Sequence, residues 1–421
     1  MDAILVEGGI PLRGDVRISG AKNAALPMIA ASLLVEGTVQ ISNVPHLTDV
    51  TTFLKLLAQL GCTGAYTDHS LQLDASKITS TEAPYELVKK MRASIYVLGP
   101  LLARFGEARV SLPGGCAWGP RPVDLHIKGM EALGAEIELD HGYIVAKAKK
   151  LRGAKINLAV SSVGATGNIM MAAVHAEGET MIQNAACEPE MVILAEFLRA
   201  LGAEIEGEGT KTIRIKGVTS LAKSLAFTNL PDRIEAGTFL AAGAITGGDI
   251  HLTHCRPDHL STVISVMQEM GCHITEEETG LRIRTEGRLN AADVKTEVYP
   301  GFPTDLQAQI MALLAISHGT GVIQETIYPD RFTHVQELVR LGANINLAGN
   351  VATVRGVPEL QGAQVMSTDI RASSALILAG LVAKGQTHVS RVYHIDHGYE
   401  AIEKKLAGLG ARIRRIKESM S

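Results

Sequence analysis

The segment Met130-Glu131-Ala132-Leu133-Gly134-Ala135-Glu136-Ile137-Glu138-Leu139 combines the end of an amphipathic helix, a glycine and a short alternating strand. A glycine at this place is typical of a helix C-cap, because glycine adopts the left-handed conformation at little cost. The same Leu-Gly-Ala signature, or a close variant, recurs along the whole chain. Successive signature glycines are 73, 68, 69, 71 and 68 residues apart, which indicates six copies of one unit. These glycines are Gly61, Gly134, Gly202, Gly271, Gly342 and Gly410.

The other half of each unit repeats as well. An Ala-rich helix ends near a glycine and a strand follows, as at residues 37–41, 178–182 and 248–252. One unit therefore reads strand, helix, strand, helix, strand, strand. The helix that follows Gly20 is apolar on nearly every side, so we expect it inside the protein with sheets around it.

The two ends of the chain indicate how the repeats close. Residues 4–8 resemble the last strand of a unit, as at 213–217, whereas the unit that ends at 409–416 lacks that strand. We therefore expect the N-terminal strands to complete the sixth unit, although an open solenoid is an alternative arrangement.

These patterns predict an α/β (α+β) fold, with two similar domains that each contain three βαβαββ units around buried helices, an inside-out barrel. Two domains also suit a chain of 421 residues, which exceeds the size of a single hydrophobic core. One predicted domain comprises residues 1–20 and 231–421 and contains both termini. The other comprises residues 21–230 and carries a loop with Cys116.

Composition excludes several functional classes. The net charge is −4 and no basic run stands out, so the sequence gives no support for nucleic-acid binding. No apolar stretch approaches the ~20 residues that span a bilayer, and the N-terminus does not resemble a signal peptide. The five cysteines include no Cys-x-x-Cys pair, which argues against a disulfide framework or a zinc site and favours a reducing cytoplasm.

The first turn of each buried helix carries polar or charged side chains. Ser162, Thr304 and Thr368 can cap free backbone N–H groups. Capping does not require a cation, and a cation at a helix N-terminus opposes the macrodipole. Four such cations indicate a bound phosphate or carboxylate at helix starts that face one cleft, although a surface salt bridge explains any single one equally well. They are Lys22, Arg92, Arg233 and Arg371.

The second unit departs most from the others, in the loop Leu112-Pro113-Gly114-Gly115-Cys116-Ala117-Trp118-Gly119-Pro120-Arg121-Pro122. Its glycines and prolines predict a long irregular segment. Cys62 and Cys272 occupy apolar repeat positions and are expected to be buried. Cys116 lies instead in a glycine-rich loop near Arg121, a setting typical of a reactive thiol, although an inert loop cysteine is the ordinary alternative.

These motifs resemble those of the UDP-N-acetylglucosamine 1-carboxyvinyltransferase family of enolpyruvyl transferases, along the whole chain. The resemblance implies a fold of two similar domains with threefold repetition. It also implies transfer of the enolpyruvyl group of phosphoenolpyruvate to the 3-hydroxyl of UDP-N-acetylglucosamine with release of phosphate, the first committed step of peptidoglycan synthesis. No metal or organic cofactor is implied. The matching segments are 20–24, 113–116, 121–126, 162–166, 231–233, 302–305, 368–369, 371–372 and 393–396.

The resemblance also implies roles for single residues. Asp305 corresponds to the base that activates the sugar hydroxyl, and a raised pKa would suit a carboxylate screened from water, although a helix cap is the plain alternative. Cys116 corresponds to the proton donor to phosphoenolpyruvate, which also forms a covalent adduct and is alkylated by fosfomycin. Asn23 would position the tetrahedral intermediate, and Lys22 would neutralise the charge that develops.

Two sets of binding residues follow from the same resemblance. Cations such as Arg121 and Arg371 would neutralise the phosphate and carboxylate of phosphoenolpyruvate. The implied phosphoenolpyruvate-binding residues are Lys22, Asn23, Cys116, Arg121, Arg331, Arg371 and His397. The implied UDP-N-acetylglucosamine-binding residues are Asn23, Arg92, Arg121, Pro122, Val123, Asp124, Leu125, Ser162, Val163, Gly164, Asp305 and Ile327.

Two positions depart from the family pattern. His397 stands where the family usually has arginine, so either it contacts the substrate in a pH-dependent way or Arg331 and Arg371 carry more of that interaction. Val160 stands where some members have lysine, which bears on affinity rather than on reaction class. Domain closure on the sugar nucleotide, with the Cys116 loop folding over it, is also expected.

Two other functions fit parts of the pattern. The shikimate-pathway enolpyruvyl transferase shares the fold and phosphoenolpyruvate, but it does not use the Gly-Gly-Cys loop. A repeat scaffold that only binds a partner predicts neither buried first-turn charges nor a reactive thiol. The resemblance therefore favours the enzyme that acts on the two small-molecule substrates named above.

Overall fold

The computed structural model describes residues 2–89, 91–112 and 123–417. The chain divides into two compact units. Met1–Ser19 and Pro231–Ser421 form the first, here called the split unit, and Gly20–Leu230 forms the second, the continuous unit. The predictions for Cys116, Arg121 and Pro122 lie outside the described residues.

The α-helices follow the predicted repeat. Short 3-10 helices at Ser32–Leu34, Arg92–Val97, Pro257–His259, Thr304–Leu306 and Val392–His397 accompany them. The described α-helices are α1 (Lys22–Ala31), α2 (Thr48–Leu60), α3 (Tyr85–Val88), α4 (Leu98–Phe105), α5 (Asp124–Ala132), α6 (Val163–Ala173), α7 (Pro189–Ala200), α8 (Arg233–Ile245), α9 (Ser261–Glu269), α10 (Gln307–Ile316), α11 (Val335–Arg340), α12 (Ile370–Gly380) and α13 (Ile402–Gly408).

The strands are short, as expected from their alternating patterns. The strands of the first half are β1 (Asp2–Glu7), β2 (Arg13–Arg17), β3 (Thr38–Ser42), β4 (Thr63–Thr67), β5 (Ser70–Asp74), β6 (Glu82–Ala83), β7 (Glu107–Ser111), β8 (Glu136–Asp140), β9 (Tyr143–Lys147), β10 (Lys155–Asn157), β11 (Glu179–Gln183) and β12 (Glu204–Glu206). Those of the second half are β13 (Thr212–Lys216), β14 (Ser224–Thr228), β15 (Asp249–Thr253), β16 (His273–Glu277), β17 (Gly280–Arg284), β18 (Val294–Lys295), β19 (Thr320–Gln324), β20 (Asn344–Ala348), β21 (Val351–Arg355), β22 (Gln364–Met366), β23 (Gln386–Ser390) and β24 (Arg412–Lys417).

The described strands form six four-stranded sheets that share one pairing pattern. In the second repeat, for example, β6 pairs with β7 in parallel, β7 pairs with β9 antiparallel, and β9 pairs with β8 antiparallel. A parallel pair needs a crossover, and a buried helix supplies it in four of the described sheets, as α4 does between β6 and β7. In the other two sheets the parallel pairs, β2 with β15 and β14 with β3, join strands from distant parts of the chain. The prediction of an α/β fold built from βαβαββ repeats around buried helices is confirmed.

The first strand of the chain belongs to the last repeat. β1 lies between β23 and β24, with Ile4 opposite Val389 and Val6 opposite Ile413. The side chains of Ile4 and Val6 are fully buried in the core of the split unit. An open solenoid does not account for this pairing, because its first strand would remain with its first repeat.

Each unit has its own core of apolar helices. In the split unit α8, α10 and α12 pack against one another, and in the continuous unit α6 contacts both α1 and α4. In α8 every residue from Ile234 to Ile245 is buried. A helix without a polar face has to be enclosed on all sides, and the surrounding sheets provide that enclosure.

The six signature glycines have backbone φ angles between +92° and +109°. This left-handed region strains residues with a Cβ atom, whereas glycine enters it freely. The predicted C-cap role of the repeated glycine is therefore confirmed at every copy.

The capping predictions have mixed outcomes. Ser162 caps α6, because its hydroxyl accepts a hydrogen bond from the Ala165 N–H. The prediction is wrong for Thr368, because Asp369 caps α12 and accepts from the N–H groups of Arg371 and Ala372. It is also wrong for Thr304, whose hydroxyl donates to the carboxylate of Glu325. In both cases a carboxylate is the acceptor, Asp369 for α12 and Glu325 for Thr304, and a carboxylate is a stronger hydrogen-bond acceptor than a threonine hydroxyl.

None of the helices in the described ranges combines the length and the hydropathy that a membrane span requires.

Candidate active site

Asp305 lies between two buried arginines in the split unit. Its Oδ1 is 2.7 Å from Nη1 of Arg331, and its Oδ2 is 3.4 Å from Nη2 of Arg371. The 3-10 helix before α10 presents Asp305, and the first turn of α12 presents Arg371. Arg331 and Arg371 are only 7% and 5% exposed, whereas the Asp305 side chain is 28% exposed. The site is therefore a partly open carboxylate held by two nearly enclosed cations.

The pKa of Asp305 differs from the expected direction. Burial alone would raise it, but the charges of Arg331, Arg371 and Arg233, together with the Arg331 hydrogen bond, hold it well below its ordinary value. The expectation of a raised pKa is therefore wrong for this arrangement, since burial is outweighed by the cations. Asp305 is ionised near neutral pH, so it can accept a proton, but it is a weak base while both arginines contact it.

Arg371 has one donor nitrogen that none of the described residues satisfies. Its Nη1 is buried, and it has no hydrogen-bond partner within the described part of the chain. Leaving a buried guanidinium donor unpaired is costly, and an anion bound there would remove that cost. Gly398 leaves space beside Nη1 of Arg371. A Cβ atom at Gly398 would lie 3.4 Å from that nitrogen and 2.2 Å from Cγ2 of Ile370.

The remaining predicted residues of the split unit lie in two segments. His397 is the last residue of the 3-10 helix Val392–His397 and is half-buried. Arg415 fixes that segment by binding both carboxylate oxygens of Asp396, at 2.9 and 2.6 Å. Ile327 is half-buried, and its N–H donates to Oε1 of Glu325 at 2.8 Å.

Lys22 has an internal partner in the continuous unit. It is the first residue of α1, it is 7% exposed, and its Nζ is 2.7 Å from Oδ2 of Asp49 in the first turn of α2. The structure therefore gives this cation a buried salt bridge, which compensates for its unfavourable place at a helix N-terminus. Asn23, the next residue, is exposed.

Some of the predicted sugar-nucleotide residues of the continuous unit, among them Arg92 and Gly164, lie near His126. This histidine follows Val123, Asp124 and Leu125 in α5, and a Cβ atom at Gly164 would lie 3.2 Å from its ring. Its Nδ1 is 3.0 Å from Nδ2 of Asn168. Burial and the nearby charge of Arg92 lower the pKa of His126 to about 4, so the ring is neutral at pH 7. The starts of α5 and α6 and the Arg92 turn therefore meet around one neutral imidazole, and the first turn of α6 contains Ser162, Val163 and Gly164.

The four described cysteines are free thiols. Burial raises the pKa of Cys62 to about 12 and that of Cys255 and Cys272 to about 11, and it also raises the pKa of Cys187. The expected burial of Cys62 and Cys272 is confirmed, with exposures of 6% and 4%. Each of these thiols is thus disfavoured as a thiolate, which separates them from the setting predicted for Cys116.

Sequence reasoning missed three residues that organise the site. Glu325 is fully buried and accepts a hydrogen bond from Thr304, the residue before Asp305. The hydroxyl of Tyr399 bonds to Thr238, Gln309 and Ser374 from three core helices. His126 stood out only as part of a matching segment. A glutamate directly after the apolar strand β19 was the one signal available for Glu325. No group of three or more His, Cys, Asp or Glu side chains in the described residues is placed to hold a metal ion.

The family model for EPSP synthase (3-phosphoshikimate 1-carboxyvinyltransferase) matches residues 6–406. The chain is 53% identical to a UDP-N-acetylglucosamine 1-carboxyvinyltransferase of Geobacter metallireducens over 418 residues, which cover 99% of this chain and 100% of the relative. It is 54% identical to the enzyme of that name from Paramagnetospirillum magneticum, with full coverage of both chains. The crystal structure of the enolpyruvyl transferase NikO from Streptomyces tendae has a TM-score of 0.90 at 26% identity, over 99% of both chains. The chain belongs to the EPSP synthase family of enolpyruvyl transferases.

Proposed function

We propose that this protein transfers the enolpyruvyl group of phosphoenolpyruvate to the 3-hydroxyl of UDP-N-acetylglucosamine and releases phosphate. That reaction is the first committed step of peptidoglycan synthesis, and a cytoplasmic location suits it. The central observation is a carboxylate, Asp305, beside an arginine, Arg371, whose buried Nη1 has no hydrogen-bond partner among the described residues. The full-length relatives named above support UDP-N-acetylglucosamine as the acceptor rather than shikimate 3-phosphate.

The arginines explain how phosphoenolpyruvate and the base act together. Arg331 and Arg371 bind the anionic groups of phosphoenolpyruvate, with His397 and Lys22 as further contacts. Once an anion shares the arginines, their hold on Asp305 weakens and its pKa rises, because burial then counts for more. Asp305 therefore becomes a better base only when phosphoenolpyruvate is bound, which limits unproductive proton transfer.

The covalent steps use two proton-transfer groups. Asp305 takes the proton of the sugar 3-hydroxyl as its oxygen bonds to C2 of phosphoenolpyruvate, and the thiol of Cys116 delivers a proton to the methylene carbon. The product of addition is a tetrahedral intermediate, which Asn23 positions. The bond between C2 and the phosphate oxygen then breaks, and the Cys116 thiolate takes a proton back from the methyl group, which forms the enolpyruvyl ether. Asp305 gives its proton to the departing phosphate, so both groups return to their starting states.

The sugar nucleotide is bound mainly through residues around His126. The described ones are Arg92, Val123, Asp124, Leu125, Ser162, Val163 and Gly164, and Arg121 and Pro122 belong to the same proposed set. Asp124 has a buried carboxylate oxygen, Oδ1, without a hydrogen-bond partner in the described residues, so it is available to accept from a ligand N–H. Ile327 and Asp305 belong to the same proposed set of sugar-nucleotide residues.

One assay tests the reaction against its alternatives. Phosphate release from phosphoenolpyruvate is measured with UDP-N-acetylglucosamine and, separately, with shikimate 3-phosphate, before and after treatment with fosfomycin. Release with the sugar nucleotide alone, abolished by fosfomycin, is the expected result. Release with shikimate 3-phosphate alone would overturn the choice of acceptor, and no release with either compound would favour a scaffold that only binds a partner.

A further inference from the structure

A buried carboxylate, Glu325, is connected by hydrogen bonds to the residues that hold the candidate base. Glu325 follows β19 and is fully buried. Its Oε1 accepts hydrogen bonds from Oγ1 of Thr296 at 2.7 Å and from the N–H groups of Ile327 and Tyr328 at 2.8 and 3.0 Å. Its Oε2 accepts from Oγ1 of Thr304 at 2.9 Å. Three donors face Oε1 and one faces Oε2, so both oxygens of the Glu325 side chain act as acceptors.

The Thr304 hydroxyl connects this carboxylate to the candidate base. It donates its one hydrogen to Glu325 and accepts from Nη1 of Arg331 at 3.0 Å. The same nitrogen of Arg331 donates to Oδ1 of Asp305 at 2.7 Å. Because the hydroxyl hydrogen is committed to Glu325, the hydroxyl lone pairs are left to face Arg331. Glu325, Thr304, Arg331 and Asp305 therefore form one continuous chain of hydrogen bonds.

We propose that Glu325 is a positioning residue that acts through Thr304 to keep Arg331 in place while Asp305 changes its charge. This inference rests on the proposed function, in which Asp305 accepts a proton. When it does so, the salt bridge between Arg331 and Asp305 loses its negative charge, which weakens one of the contacts that hold the buried Arg331 side chain. The Thr304 oxygen, held by Glu325, remains as an acceptor for Nη1 of Arg331.

The same carboxylate also fixes the segment that contains Ile327. Its Oε1 binds the N–H groups of two successive residues, Ile327 and Tyr328, so the backbone turn after β19 is built around Glu325. One buried side chain thus positions both the arginine that contacts the candidate base and a segment proposed to contact the sugar nucleotide. Because of this double role, we expect Thr304 variants to change kcat alone and Glu325 variants to change both kcat and the KM for UDP-N-acetylglucosamine.

Paired substitutions at Thr304 test the hydroxyl. Thr304→Val has nearly the same shape without the hydroxyl, whereas Thr304→Ser retains it. We expect Thr304→Val to lower kcat roughly 10- to 100-fold, the usual effect of losing a hydrogen bond to a charged group, with the Kd for UDP-N-acetylglucosamine unchanged. Thr304→Ser should recover most of kcat. Wild-type kcat in Thr304→Val, or equal losses in both variants, would overturn the inference.

Glu325→Gln tests the carboxylate itself. An amide has only one acceptor oxygen, so it cannot serve both Thr304 and the two N–H groups of the turn. We expect kcat to fall as in Thr304→Val, and the KM for UDP-N-acetylglucosamine to rise as well, because the Ile327 segment loses its acceptor. A rise in KM with wild-type kcat would contradict the role assigned to Arg331.

The matched control is Thr387→Val in the same unit. The Thr387 hydroxyl is fully buried and has no hydrogen-bond partner among the described residues, so its removal should leave kcat and KM unchanged. Thermal unfolding of each variant separates loss of fold from loss of positioning. An inactive wild-type protein would overturn the proposed function, whereas an active wild type with an equally active Thr304→Val variant would overturn only the inference about Glu325.

Discussion

At the scale of single residues, Asp305 shows that neighbouring charges can outweigh burial. Burial pushes its pKa up, and Arg331 and Arg371 push it down further than burial raises it. A base has to be ionised to act, so a lowered pKa preserves activity as the pH falls. The arginines therefore have two proposed roles in the reaction. They bind the anionic groups of phosphoenolpyruvate, and they set the pKa of Asp305.

Arg331→Gln should move the acid side of the pH profile. This change removes the strongest of the charges that lower the pKa of Asp305, while the effect of burial remains, so the pKa rises. Because the base is active when ionised, activity should be lost at a higher pH than in the wild type. The measurement is kcat/KM against pH. The control is Arg340→Gln, whose side chain is 58% exposed, and an acid limb that does not move in Arg331→Gln would contradict the assignment.

Cys116→Ser should lower turnover strongly and leave the fold intact. A serine hydroxyl is a much weaker acid and nucleophile than a thiol, so we expect a loss of roughly 10²-fold or more, the usual contribution of a general acid. Turnover and thermal unfolding are measured together, and peptide mapping after fosfomycin should find the adduct on Cys116. Full activity in this variant would refute the role of Cys116, and labelling of Cys62 or Cys272 would refute the selectivity argued from their raised pKa values.

At the scale of secondary-structure elements, each repeat depends on a helix that ends at a glycine. The end of α13 offers a matched test, because a Cβ atom added at Gly408 or at Gly410 would meet nothing within 4 Å among the described residues. Of these two glycines, only Gly410 has a left-handed backbone, with φ +98°. The two positions thus differ in conformation and hardly in available space.

Gly410→Ala should lower the free energy of unfolding by about 1–2 kcal/mol, because alanine is strained in the left-handed region. Gly408→Ala should raise it by up to about 1 kcal/mol, because alanine favours the helix and restricts the unfolded chain. Chemical denaturation of both variants gives these two values. If both changes had the same sign, the C-cap explanation of the repeat would be wrong.

At the scale of the whole molecule, the N-terminal strand is a structural part of the last repeat. Val6 is fully buried between β23 and β24, whereas its neighbour Glu7 is exposed and pairs with Arg412 at the surface. The two units have separate apolar cores, so damage to one core need not reach the other.

Val6→Asp should unfold the split unit while the continuous unit retains its structure, because a carboxylate at this position would be buried without a partner. Glu7→Ala, the control, should change stability by less than about 0.5 kcal/mol, since exposed ion pairs contribute little. Hydrogen exchange read out by segment distinguishes the two units. Full protection of β23 and β24 in Val6→Asp would show that β1 is dispensable.

Much of the fold could be predicted from the sequence because its signals are local and recur six times. A glycine after an amphipathic helix, a helix without a polar face and a short alternating strand each follow from neighbours within about one turn or strand. The cations Lys22 and Arg92 at the first position of their helices were visible for the same reason. Because each signal occurs in six copies, it is easier to recognise than a signal that occurs a single time.

The site depends instead on partners that are distant in sequence. Lys22 meets Asp49 across 27 residues, and Arg371 meets Asp305 across 66 residues, so neither pairing could be inferred from spacing. The identity of Asp305 as a candidate base followed from resemblance, but the direction of its pKa shift depended on which charges surround it. Glu325 was hidden from sequence reasoning, because a glutamate after a strand is ordinary until its four donors are seen to enclose it. Local propensities are set by adjacent residues, whereas protonation and positioning are set by the contacts that folding brings together.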